Sequence, residues 1–98
     1  MKRTTIKGLQ RYADEENKNN RQIGLDYDWF DILYNRLLNG NYSDVKEDIA
    51  SMSKREALKV IDASVSRKDY GAYEENLLYR IYQYAYNSLD SKLKRKKR

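Results

Sequence analysis

The sequence predicts an all-α protein, a compact bundle of four to five helices whose long, tyrosine-rich C-terminal helix is the central member. Three observations carry that prediction. The stretch Tyr70 to Leu93 contains no proline and holds six of the ten tyrosines. Four earlier segments each place apolar residues at helical spacing, most of them behind a capping residue. No stretch alternates apolar and polar residues for long enough to make a strand.

Residues 1–3 are read as frayed. Thr4 or Thr5 can cap a first helix, because a threonine hydroxyl accepts from the orphan amides of the first turn. Ile6, Leu9, Tyr12 and Ala13 then share one face, and Gly8 weakens the helix by about 1 kcal/mol relative to alanine. Residues 16–24 (ENKNNRQIG) read as a connection, with Ile23 and Leu25 available to pin it to the core. Asp28 is placed to cap a second helix over residues 29–38. There Asp31 sits in the first turn, and Trp29, Phe30, Ile32, Leu33, Leu37 and Leu38 provide the anchor. Asn39-Gly40 stops it, since glycine enters the left-handed region at no steric cost. Asn41 and Tyr42 complete the turn.

Ser43 is expected to cap a short third helix with Val45, Ile49 and Met52 inward. Ser53 and Glu56 have the spacing of a capping box, which starts a fourth helix with Ala57, Leu58, Ile61 and Val65 inward. The polar Ser66 to Asp69 leads into the fifth helix. Two stripes run along that helix: Tyr73, Leu77, Ile81 and Tyr84, then Tyr79, Tyr82, Tyr86, Leu89 and Leu93. Leu78 and Ala85 lie between them, and Asn76, Arg80, Gln83, Asn87 and Asp90 form a polar wedge. The apolar arc spans about 240°, against about 100° for an ordinary surface helix. The rest of the domain must wrap such a helix, or another molecule must share it.

Composition excludes more than it proposes. One domain of 98 residues, 40% hydrophobic and 36% charged, fits a modest globular core. The division expected is a single helical domain over 1–91 and a basic tail over 92–98. The N-terminus has no apolar leader and no run is long enough to span a membrane, so the expected location is cytoplasmic. The chain has neither cysteine nor histidine. Thiolate nucleophiles, cysteine-ligated metals, the usual general base and the Ser-His-Asp arrangement are all excluded. No glycine-rich phosphate loop is present, so no enzyme activity, cofactor or metal is expected.

The net charge is +5, yet Lys92, Lys94, Arg95, Lys96, Lys97 and Arg98 hold six of the twenty basic side chains. The rest of the chain is one charge negative. These six are the candidate contact for nucleic acid or an acidic partner, or else a solvated helix end. Residues 45–61 outline a helix-turn-helix whose reader helix would offer Lys54, Arg55 and Lys59. However, the turn before Ser53 is short, and Glu56 and Asp62 would repel phosphate. Asp26, Asp28 and Asp31 fail the calcium-loop spacing at Phe30, and helix capping accounts for the last two. Asn41-Tyr42-Ser43 matches a glycosylation sequon but reads as a turn. Tyr79, Tyr82 and Tyr86 are the candidate partner surface, because tyrosine brings large apolar area and a polar tip at low entropic cost. The alternative is that they line the core. The function expected is a small non-catalytic regulator or inhibitor of phage or mobile-element type, consistent with an AT-rich coding composition. It would dock these tyrosines on a larger protein or nucleoprotein, with homodimerisation as one possible use. A nucleic-acid-binding regulator using the tail and the helix at 54–66 is the competing reading.

Overall fold

The computed structural model describes residues 4–19 and 27–96. It contains α1 (Ile6–Asn19), α2 (Trp29–Leu38), α3 (Tyr42–Ala50), α4 (Lys54–Ser66) and α5 (Glu75–Lys96), with a 3-10 turn at Arg67–Asp69. The expected all-α bundle is what forms, and the described residues include no strand. Helix α5 is the shared wall: α4 packs on it most extensively, and α2 and α3 lean on it as well. None of the described helices is long and apolar enough to cross a membrane.

Helix α1 is capped by Thr5, whose hydroxyl accepts from Gly8 N at 3.0 Å. It continues through Asn19, into what the sequence marks as a connection. Asn17 there has a specific task, since its amide brackets Tyr27 by accepting from the backbone N at 2.8 Å and donating to the backbone O at 2.7 Å. Ile23, Leu25 and Asp26 lie outside the described residues. Leu9 and Ala13 are buried, whereas Tyr12, expected inward, is exposed.

Helix α2 begins with a capping box made of two aspartates. Asp28 accepts from Phe30 N and Asp31 N, and Asp31 accepts in return from Asp28 N. Phe30, Ile32, Leu33, Tyr34 and Leu37 are buried, while Leu38 stays exposed. Gly40, at φ +87°, ends the helix in the left-handed region where glycine is favoured. Helix α3 starts at Tyr42, one residue ahead of the expected cap at Ser43, and its N-cap Asn41 makes no side-chain hydrogen bond. The reason is local, because Asn41 N donates back to Arg36 O and one turn serves both helices. Val45, Ile49 and Met52 are fully buried.

Ser53 and Glu56 form the expected box, with Glu56 N donating to Ser53 Oγ and Ser53 N to Glu56 Oε1. The inward face of α4 differs from expectation. Ala57, Val60, Ala63 and Ser64 are buried, while Leu58 and Val65 face outward. Small side chains let the backbones of α4 and α5 approach, and turning Leu58 inward would hold them apart.

Helix α5 starts at Glu75 rather than at Tyr70, because Gly71 at φ +75° breaks the helical path. Tyr73 is therefore on no helical stripe. It inserts from the connector against Phe30 and Tyr34, with ring centroids 6.0 and 4.8 Å apart in edge-to-face geometry. The deepest line on α5 is Leu78, Ile81, Ala85 and Ser88, which joins Ile81 of the first stripe to Leu78 and Ala85 from between the two stripes. Leu77 and Tyr84 are half-buried beside it.

Candidate docking surface on helices α4 and α5

The second stripe of α5 is largely left facing water. Tyr79 and Tyr86 are 62% and 51% exposed, and Tyr82 between them is half-buried. Their rings follow one another edge to face, at 6.2 Å from Tyr79 to Tyr82 and 6.1 Å from Tyr82 to Tyr86. Such spacing places the three rings in successive edge-to-face contact, as a ladder along the helix. The Tyr79 hydroxyl also accepts from Gln83 Nε2 at 2.7 Å. Leu93 continues the exposed line at the far end.

The rotated face of α4 extends this surface. Leu58 and Val65, two turns apart on one side of the helix, are 50% and 56% exposed. A groove of about 470 Å³ runs between Ser64, Val65 and Lys68 on one side and Leu78, Tyr79 and Tyr82 on the other. An aromatic ladder beside an apolar rim on a second helix is a contiguous patch, unlike scattered exposed leucines. Periodicity alone identifies the tyrosines. It misses Leu58 and Val65, because their expected inward placement followed from hydrophobicity without regard to how closely α4 must approach α5.

The basic residues occupy another part of α5. Lys92 Nζ donates to Ala50 O at 2.9 Å and to Ser88 Oγ at 3.0 Å, so it caps the C-terminal carbonyls of α3. Lys94, Arg95 and Lys96 belong to the last turn of α5, while Lys97 and Arg98 lie outside the described residues. The supposed reader helix is tied down at its start. Glu56 Oε2 accepts from Ile6 N at 2.9 Å, placing the N-terminus of α1 over the first turn of α4. Helices α3 and α4, joined by Ser51–Ser53, hardly touch each other and pack separately on α5.

The conspicuous polar cluster is a weld between α2 and the α4–α5 connector. The Arg67 guanidinium lies 4.7 Å over the Phe30 ring and pairs with Asp28. Tyr73 Oη donates to Asp31 Oδ1 at 2.5 Å, and Glu74 N donates to Tyr34 Oη at 2.7 Å. Burial, and then the Asp31 carboxylate, push the Tyr73 pKa up to about 12. Its hydroxyl is thereby held protonated as a donor, the opposite of an activated base. Asp28 and Asp31 are both committed to caps and to these partners. Among the described residues no three acidic side chains converge as metal ligands.

Comparison of the chain with protein-family models, curated proteins and solved structures finds no match. The surface geometry is therefore the guide to function.

Proposed function

We propose that this chain is a non-catalytic regulator or inhibitor, of the kind phages and mobile elements encode, that docks the α4–α5 aromatic strip on a larger protein. The observation that carries the reading is the exposed ladder Tyr79–Tyr82–Tyr86 bordered by Val65 of α4. Tyrosine offers interface area with only two rotatable side-chain angles to immobilise, which is why it anchors binding surfaces. The order Tyr79, Tyr82, Tyr86, Leu89, Leu93 alternates steps of three and four, the spacing at which one helix receives another. The partner that fits is thus a protein presenting an apolar helix to the groove.

The test compares the parent with a Tyr79→Ala/Tyr86→Ala variant. Proteins captured from the native host, with and without nuclease, are identified, and each is then purified and titrated directly. The reading holds if a purified partner binds the parent and binds the variant at least about tenfold more weakly, while the melting temperature changes little. Equal binding by both sinks it. Sedimentation of the chain alone reports whether a second copy occupies the strip; a dimer abolished by the double substitution would replace the foreign partner with a homodimer.

A further inference from the structure

Four segments distant in sequence converge at one end of the bundle. Thr4 N donates to Ser51 Oγ at 2.9 Å, Ile6 N to Glu56 Oε2 at 2.9 Å, Ser88 Oγ to Ile49 O at 3.4 Å and Lys92 Nζ to Ala50 O at 2.9 Å. The starts of α1 and α4, the end of α3 and the C-terminal part of α5 therefore share this end. Each brings cations: Lys7, Lys46, Arg55, Lys92 and the turn Lys94–Lys96. Linear reading makes the basicity a tail on a neutral body; the fold instead adds body lysines to the tail.

The acids at this end are mostly engaged. Asp48 accepts from Arg36 Nη1 at 2.6 Å and from Thr4 Oγ1 at 3.0 Å, and Glu56 holds two helix starts. Glu47 is exposed, but it borders the cleft of Asp44 and Arg36, on the other flank of α3 from Lys46. Asp90, on α5 beside Ser91, is also engaged. Other carboxylates gather at the opposite end, at the C-terminal half of α1 (Glu15) and in the α4–α5 connector (Asp69, Glu74).

Beside the basic turn is a cleft of about 360 Å³, lined by Lys46, Ala50, Tyr84, Asn87, Ser91 and Lys92. Two ammonium groups, an amide and a hydroxyl around a small concavity match the donors that a phosphodiester accepts from. Lys92 spends two of its three N–H donors on Ala50 O and Ser88 Oγ, which fixes the ammonium at the rim.

We propose that this end binds the phosphate backbone of duplex nucleic acid, with one phosphate seated between Lys46 and Lys92. Duplex is favoured over single strands because the cleft has one aromatic ring, Tyr84, and no stacking ladder. A bilayer fits less well, since five consecutive cations from Lys94 to Arg98 include no apolar residue to insert. The binding is insensitive to base sequence and steep in salt.

The test is anisotropy of a short labelled mixed-sequence duplex, titrated at several salt concentrations. Lys46→Glu is compared with Lys18→Glu, the same charge change on exposed α1 at the opposite end. Lys46→Glu should weaken binding several-fold more than Lys18→Glu and flatten the log–log salt slope by about 1. Ser91→Glu should act like Lys46→Glu, and truncation after Leu93 should flatten the slope by up to about 4.5. The Tyr79→Ala/Tyr86→Ala variant should bind duplex like the parent, so this site and the docking strip fail or stand separately. Equal weakening by Lys46→Glu and Lys18→Glu overturns the cleft, because net charge alone would then explain binding. Binding to anionic phospholipid vesicles or polyglutamate as tight as to duplex overturns the choice of ligand.

Discussion

The carboxylate of Glu56 serves two helices at once, accepting from Ile6 N through Oε2 at 2.9 Å and from Ser53 N through Oε1 at 3.0 Å. A glutamate in a capping box ordinarily closes its own helix. Here it also satisfies an orphan amide of α1, fifty residues away in sequence. Glu56→Ala removes two charge-assisted hydrogen bonds and should cost about 2 kcal/mol. For a domain of this size that lowers the melting temperature by about 8–16 °C. Glu47→Ala, on exposed α3 surface, should stay within about 0.5 kcal/mol. Parallel thermal melts of the two variants check the difference, and equal melts would deny Glu56 its double role.

Ile81 and Asn87 lie on different faces of α5, one fully buried and one exposed. Ile81→Asp places a carboxylate among Phe30, Leu33 and Ile49 of the core cluster, and the cost should be several kcal/mol. That is enough to unfold a marginal domain. Asn87→Asp should change stability by less than about 0.5 kcal/mol. Chemical denaturation of both variants measures the contrast.

Tyr73 gives the fold a signature at high pH. Folding raises its pKa from 10.0 to about 12, so the folded protein keeps a proton that the unfolded chain releases. The stabilisation from this group is complete below about pH 10 and fades as pH rises through about 12. Tyr73→Phe should cost about 1–2 kcal/mol near neutrality, since Asp31 loses its donor. The cost should shrink as pH rises from about 10 to about 12, because the unfolded parent gains free energy by releasing a proton that the folded parent keeps. A pH series of denaturation midpoints for both proteins follows this convergence, and a constant gap would exclude the hydroxyl as its source.

What was legible in the sequence is what depends on near neighbours. Asp28, Ser53 with Glu56, and Gly40 mark helix boundaries because caps and left-handed turns act over three or four residues. The buried Val45, Ile49 and Met52 follow from period alone. What was not legible depends on how helices meet. Leu58 and Val65 face outward because α4 presents small residues to α5, and no single-helix pattern contains that constraint. Tyr73 reads as one more helical tyrosine until Gly71 turns the chain and sends the ring between Phe30 and Tyr34. The outward ladder of Tyr79 and Tyr86 was visible as surplus apolar area on α5. Lys92, by contrast, looks like the first residue of a solvated tail, and only the approach of α3 reveals the carbonyl it caps.

The position of α5 as the shared wall bears on how the protein is made. During translation α1 through α4 leave the ribosome before the helix that α2, α3 and α4 lean on. Until α5 arrives, α4 lacks the helix it packs on most extensively and the core around Leu33, Ile49 and Val60 is left open on one side, so a nascent chain ending before Glu75 should be digested readily by protease. Protection of such a stalled chain would show that the first four helices can form a core without it. Helix α5 thus converts a run of amphipathic segments into one cooperative unit.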